Sequence, residues 1–349
     1  MMSTSILSVR NLTTKLQIGK NTYPVVENLH FDLYPGKTLA VVGETGCGKS
    51  LTALSIMRIL PTPPALPSTG EILYKGRNLL TLSEREMRKI RGSKIAMIFQ
   101  NPGSALNPVY TIGDQMLEVV QLHLNLYGDE ALERIVRVLQ EAGISSPMDR
   151  LNDYPHQLSG GMKQRVMIAM ALICEPDILI ADEPTTALDV TIQAQVLDLI
   201  KDLQKKKGMA VLVITHDMGV VAEIADDVIV MYASQGVERG SVDQIFNHMS
   251  HPYTQGLFKS RTSNQPRRAR LMSIQGSVPS IINYPSGCRF HPRCPYVMEK
   301  CCQGDVPTME IERQHTALCW LYDGTEESKE KKAQIDLHHS FQSIKSHES

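Results

Sequence analysis

One stretch, Leu39-Ala40-Val41-Val42-Gly43-Glu44-Thr45-Gly46-Cys47-Gly48-Lys49-Ser50, limits this chain more than any other feature. The apolar run predicts a buried parallel strand, Gly43 to Gly48 a flexible turn, and Lys49-Ser50-Leu51-Thr52 the start of a helix. Glycines leave backbone N–H groups free to curl around an anion, and the helix start adds the positive end of its dipole. Lys49 then reaches outer phosphates, and the Ser50 hydroxyl suits magnesium. A glycine turn spelling the same letters by accident is the alternative, and the flanking strand and helix disfavour it. Gly43, Glu44, Thr45, Gly46, Cys47, Gly48, Lys49, Ser50 and Leu51 are therefore candidate nucleotide contacts.

The chain is long enough, at 349 residues, for one large domain with an appendage or for two domains. A net charge of −1 gives no general attraction to nucleic acid or anionic lipid. The local patch Arg267-Arg268-Ala269-Arg270 reads as a solvated linker. No run approaches the roughly 20 apolar residues that span a bilayer, and Met1 to Arg10 lacks a leader pattern, so a cytoplasmic protein is expected. Reduced cytosol argues against disulfides among the cysteines crowded near the carboxy terminus.

Before the loop, Ile6–Arg10 and Leu29–Leu33 alternate apolar with polar residues, as half-exposed antiparallel edge strands do. Tyr23 between them is a candidate for stacking on an adenine ring, or a turn tyrosine packing on its own hairpin. After the loop helix, Gly70–Tyr74 resumes as a strand, and Lys94–Phe99 forms a buried strand ending on Gln100, placed to sense a metal or a water. Thr111–Leu126 and Glu130–Ala142 carry apolar residues at three-to-four spacing and form a helical insertion.

Ser159 is a natural N-cap for the periodic segment that follows. Gly160 and Gly161 at its start suggest close approach of a ligand to free amides. The apolar strand Ile178–Ala181 ends in Asp182 and Glu183. Unpaired charges at a sheet end are costly, so a cation or a reacting water belongs there. Asp182 is placed to hold magnesium through its water shell, and Glu183 to polarise the water attacking an outer phosphate. Val190–Lys205 reads as a helix, and Ala210–Thr215 as another buried strand ending on His216, a candidate for the outer phosphate. Alternating helices and apolar strands predict a mostly parallel sheet with these polar residues at strand carboxyl ends.

This ordered set resembles the nucleotide-binding subunit of ATP-binding-cassette (ABC) transporters over about residues 5 to 250. The resemblance makes Gly43–Ser50 the Walker A loop, Gln100 the Q-loop, Leu158–Gln164 the signature and Ile178–Asp182 Walker B. It likewise makes Glu183 the catalytic glutamate, Ala187-Leu188-Asp189 the D-loop and His216 the switch histidine. It implies a P-loop α/β cassette with an antiparallel β edge, in which two copies close head to tail. Ser159, Gly160 and Gly161 of one cassette then complete the ATP site of the other, Gln100 joins Ser50 and Asp182 around magnesium, and Asp189 of the D-loop is a further candidate nucleotide contact.

Gln100–Pro108, His251-Pro252-Tyr253-Thr254 and the cysteine-bearing tail resemble the dipeptide, oligopeptide and nickel importer group. Gly276–Trp320 departs from the alternating pattern and reads as a small appended module, stapled rather than oily, and not as more sheet. Cys288, Cys294, Cys301 and Cys319 offer four thiolates suited to zinc or an iron–sulfur cluster, with Cys302 an extra neighbour and His291 and His315 nearby donors. The resemblance favours a [4Fe-4S] cluster over Zn2+. The expected organisation is a cassette over 5–255, a cysteine module over 256–325 and a disordered tail over 326–349.

The expected function is an MgATP-hydrolysing subunit that energises uptake of dipeptides or oligopeptides at the cytoplasmic face of the membrane. Nickel or another small solute is the alternative cargo. A cassette acting on nucleic acid or ribosomes, and a redox-regulated cassette outside transport, are the competing classes. Group membership implies two permease subunits, a homologous ATPase partner and an external solute-binding protein.

Overall fold

The computed structural model describes residues 4–186, 189–259 and 274–333. Ala187 and Leu188 of the expected D-loop, the Arg267–Arg270 patch and residues 334–349 lie outside the described residues. The chain divides into two units, Met1–Val42 with Lys49–Asp226, and Gly43–Gly48 with Asp227–Ser349.

In the first unit, β1 (Leu7–Ile18), β2 (Asn21–Leu33), β4 (Thr69–Tyr74) and β5 (Arg77–Asn78) form a four-stranded antiparallel sheet in the order β2-β1-β4-β5. Alternation puts Leu7 and Val9 on its buried face, as the sequence predicts, and a register shift after Val9 returns Leu12 to that face. β3 (Thr38–Val42), β6 (Ile95–Ile98), β7 (Ile178–Asp182) and β8 (Ala210–Thr215) are buried throughout and pair in parallel in the order β3-β8-β7-β6. Such continuous apolar runs are what a sheet covered on both faces requires. Register places Val42 beside Thr215, and Asp182 beside Ile214, so the polar residues emerge together at one end.

Ile168, Leu197, Ile200 and Val220 pack against Ala96, Leu179 and Val211 to fill the core beside this sheet. The two expected insertion helices run over Ile112–Leu124 and Gly128–Glu141. Thr111 and Asp114 close a capping box at the first helix, and Asn125 ends it with a left-handed φ of 54°. Their apolar faces, through Met116, Val120, Ile135 and Leu139, join Val166 and Ala169 of the helix Gly160–Leu172.

In the second unit, β9 (Asp227–Tyr232), β10 (Gln235–Ser241), β11 (Thr308–Glu312) and β12 (His315–Leu318) form an antiparallel array in the order β11-β12-β10-β9. This corrects the expectation that Gly276–Trp320 adds no sheet: its hairpin docks on β10 through Glu238 beside Ala317. The region also has an apolar core of Met298, Ala317 and Leu321 around Cys301 and Cys319, so it is not held by cysteine alone. The expected disordered tail begins in helix, over residues 326–333. Ser328 is fully buried, its hydroxyl donating to the Trp320 carbonyl at 3.0 Å. No helix among the described residues is long and apolar enough to cross a membrane.

Candidate functional site

The loop after β3 turns on Gly46 and Gly48, whose φ values of 84° and 107° lie where side-chain-bearing residues are strained. Gly43 is needed for space: a Cβ there would stand 2.2 Å from the Met231 carbonyl oxygen. The Cys47 N–H donates to the Glu44 carbonyl at 3.3 Å, closing the turn. Lys49, 6 % exposed, and Ser50 open the helix Lys49–Met57, whose Leu51 carbonyl accepts from the Ser55 hydroxyl.

The Ser50 hydroxyl donates to Asp182 Oδ1 at 3.0 Å. Asp182 is 5 % exposed, and burial pushes its carboxyl above the ordinary range against the pull of Ser50 and Lys49. A hydroxyl paired with a buried carboxylate whose ionised form lacks full compensation is a donor set suited to a hard divalent cation.

Glu183, one residue on, has a left-handed φ of 48°, an outlier of the kind that collects at functional sites. Three side chains meet its carboxylate: Gln100 Nε2 donates at 2.9 Å, the Thr186 hydroxyl at 2.8 Å, and His216 Nδ1 lies at 3.0 Å. Burial works to raise this carboxyl, but the Thr186, His216 and Gln100 contacts together hold it below the usual range. An ionised, oriented carboxylate at a strand end can accept a proton from, or align, a water. The expected Gln100 and His216 thus converge on Glu183, joined by Thr186, which the sequence does not single out, while Gln164 carries a contact beyond its place in the signature segment. Gln164 is buried and donates to the Pro184 carbonyl at 2.6 Å, tying the helix Gly160–Leu172 to the turn after Glu183.

Ser159 caps that helix by accepting from the Met162 N–H at 3.3 Å, as expected. A Cβ on Gly160 would meet open space, whereas one on Gly161 would press Ile192 at 3.1 Å. Asp189 caps the helix Val190–Lys207. Tyr23 sits in the β1–β2 hairpin opposite Leu16, its hydroxyl accepting from Asn21.

Cys288, Cys294, Cys301 and Cys319 line one small cavity, beside Phe290 and His291. Burial pushes the Cys288 thiol up to about 11 and the Cys294 thiol up to about 12, and raises Cys301 and Cys319 as well. Thiols held this way ionise only against a compensating positive charge. Cys302 does not line the cavity, its Sγ facing the Met298 carbonyl at 3.9 Å. His315 is engaged with buried Glu238 at 2.8 Å. Among the described residues no group of three or more His, Cys, Asp or Glu side chains is arranged to hold a metal ion.

The ABC transporter family matches residues 26–186, and the oligopeptide/dipeptide transporter C-terminal region matches residues 237–301. The chain is 50 % identical over 316 residues to the probable peptide ABC transporter ATP-binding protein y4tR of Sinorhizobium fredii, covering 90 % of this chain and 94 % of that protein. It is 49 % identical over 319 residues to the dipeptide transport ATP-binding protein DppD of Bacillus subtilis, covering 91 % and 95 %. The dimeric structure of MJ0796, a bacterial ABC transporter cassette, superposes with a TM-score of 0.60 at 27 % identity, covering 68 % of this chain and 98 % of that one. A post-hydrolysis MJ0796 dimer bound to ADP and Pi gives 0.59 at 29 % identity, with the same coverage. The chain belongs to the ATP-binding subunits of ABC transporters, in the oligopeptide/dipeptide group.

Proposed function

We propose that this subunit binds MgATP and hydrolyses it to drive import of dipeptides or oligopeptides. The convergence of Gln100, Thr186 and His216 on the Glu183 carboxylate carries the hydrolytic reading. Glu183 aligns the attacking water, Ser50 and Asp182 hold magnesium, and Lys49 and His216 offset charge developing on the outer phosphate. The relatives named above favour peptide over nickel as cargo.

Two cassettes close head to tail in this reading, with Ser159, Gly160 and Gly161 facing the partner's nucleotide. The dimeric MJ0796 structures and the open space at Gly160 support it. The work is done at the cytoplasmic face of the membrane against two permease subunits fed by an external solute-binding protein. Permease docking falls on the helical insertion, where Leu122 and Tyr127 are 70 % and 62 % exposed. The four cavity cysteines hold a [4Fe-4S] cluster in preference to zinc. Support comes from the four thiols that line one cavity, the soft donor set such a cluster takes.

Uptake of labelled dipeptide and of nickel, measured in cells carrying Glu183→Gln beside cells carrying the unaltered chain, tests the function. Peptide uptake is expected to fall at least tenfold while nickel uptake is unchanged. Loss of nickel uptake alone overturns the cargo, and no change in either overturns hydrolysis here as the drive.

A further inference from the structure

Arg293 lies in the proline-rich stretch between two of the cavity cysteines, yet its guanidinium makes a two-pronged pair with Glu44 of the phosphate loop. Nη1 lies 2.7 Å from Glu44 Oε2, and Nη2 3.2 Å from Oε1. The side chain is only 6 % exposed, and Nε donates to the Gln275 carbonyl at 2.9 Å. Its orientation is therefore fixed on several sides, unlike that of a solvated surface pair.

A second tie holds the same loop residue by its backbone. The Glu44 N–H donates to the Tyr253 hydroxyl at 2.8 Å. Tyr253 is fully buried, its ring 5.5 Å from that of Phe290, which lines the cysteine cavity. A third contact runs from the Ser234 N–H to the Cys47 carbonyl at 3.0 Å. The phosphate loop is thus bound, through side chain and main chain, to the region that carries the cysteines.

A carboxylate inside a loop that receives phosphates needs an explanation, because like charges at this range repel. The geometry points to Arg293 as a positioning residue of the nucleotide site, cancelling the charge of Glu44 and, with Tyr253, holding the loop amides in phosphate-binding shape. The cysteine-lined region and the loop then act as one element: nucleotide bound at the loop is felt at the cavity, and the state of the cavity changes nucleotide affinity. Linkage requires the two effects to be equal. This coupling runs through Arg293, Tyr253 and Phe290 whatever the four thiols hold.

The test uses the full chain with MgADP as the probe, followed by calorimetry and by emission of Trp320, the sole tryptophan, which lines the cavity. Arg293→Ala is expected to weaken MgADP about tenfold or more and to raise the KM for ATP more than it lowers kcat. Adding Glu44→Gln removes the stranded charge and is expected to restore most of the affinity. In that double variant the Trp320 response to MgADP shrinks, since the tie through Arg293 is gone. A purely structural role predicts no rescue, so unchanged affinity in Arg293→Ala, or failure of Glu44→Gln to restore it, overturns the proposal. Should Arg293→Ala not fold, Arg293→Lys keeps a cation beside Glu44 without the two-pronged geometry, and MgADP affinity is expected to fall about fivefold or less. Complete loss of MgADP binding in Arg293→Lys overturns it.

Discussion

Gln164→Leu isolates the contact that holds the turn after Glu183. The substitution keeps the side-chain volume nearly constant but removes the Gln164 amide that donates to the buried Pro184 carbonyl, 2.6 Å away. Leaving a buried acceptor unsatisfied costs about 1–3 kcal/mol. For a cooperative unit of this size that is a fall in Tm of about 2–10 °C. The same turn carries Thr186, whose hydroxyl orients Glu183, so loosening it misplaces the carboxylate. A displacement of the order of 1 Å at such a group lowers kcat about 100-fold. Thermal unfolding and steady-state ATPase assays on Gln164→Leu and Gln164→Glu measure both effects. The glutamate should be worse, because an anion then opposes the carbonyl lone pairs. If Gln164→Leu unfolds within about 0.5 kcal/mol of the unaltered chain and keeps full kcat, water satisfies Pro184 and the turn needs no tether.

Gly43→Ala drives a Cβ to 2.2 Å from the Met231 oxygen and 2.8 Å from Cys47 Sγ, so the loop must shift. MgADP affinity measured by calorimetry should drop more than about tenfold, and unchanged affinity would show the loop to be pliable. Asp177 is partly buried, which raises its carboxyl, but hydrogen bonds from Lys75 and Tyr74 outweigh this and hold it below the ordinary range. Its stabilisation is therefore present above about pH 4 and is lost as pH falls through the depressed value. Denaturant unfolding of Asp177→Asn should show a deficit of about 1 kcal/mol or less at pH 7 that narrows near pH 3, and a constant deficit contradicts the assignment. If the proposed cluster is bound, iron and acid-labile sulfide should be lost from Cys301→Ser and kept in Cys302→Ser; their absence from the unaltered chain refutes the cluster, and the opposite pattern would place its ligand at Cys302.

The parallel strands are the most legible part of the fold in the sequence, beside the antiparallel edge and the insertion helices. Ile178–Asp182 and Ala210–Thr215 announce themselves because a strand covered on both faces must be apolar at every position until it ends. The polar residue at that end, Glu183 or His216, then stands out by contrast. β10 and β11 are different: Gln235–Ser241 mixes glycine and charge with apolar positions, Thr308–Glu312 mixes charge with apolar positions, and the hairpin of β11 and β12 docks on β10 from far along the chain. Propensity says little about such segments, because their stability comes from the neighbours they meet.

Chemistry follows the same division. A carboxylate at the end of a buried strand is informative on its own, since desolvation demands a partner. Arg293 looks like any basic residue beside Pro292, and its partner Glu44 lies 249 residues earlier. Cys301 and Cys302 are equal as letters, yet adjacent residues on a tight turn point in different directions, and only the first faces the cavity. Local spacing can nominate a set of ligands, but choosing among neighbours requires the walls of the cavity. Those walls include Phe290, packed on Tyr253, whose hydroxyl receives the Glu44 amide. The residue that shapes the cysteine site is thus one contact removed from the residue that shapes the phosphate loop, so a substitution at Phe290 should disturb both sites together, whereas one at Cys302 should disturb neither.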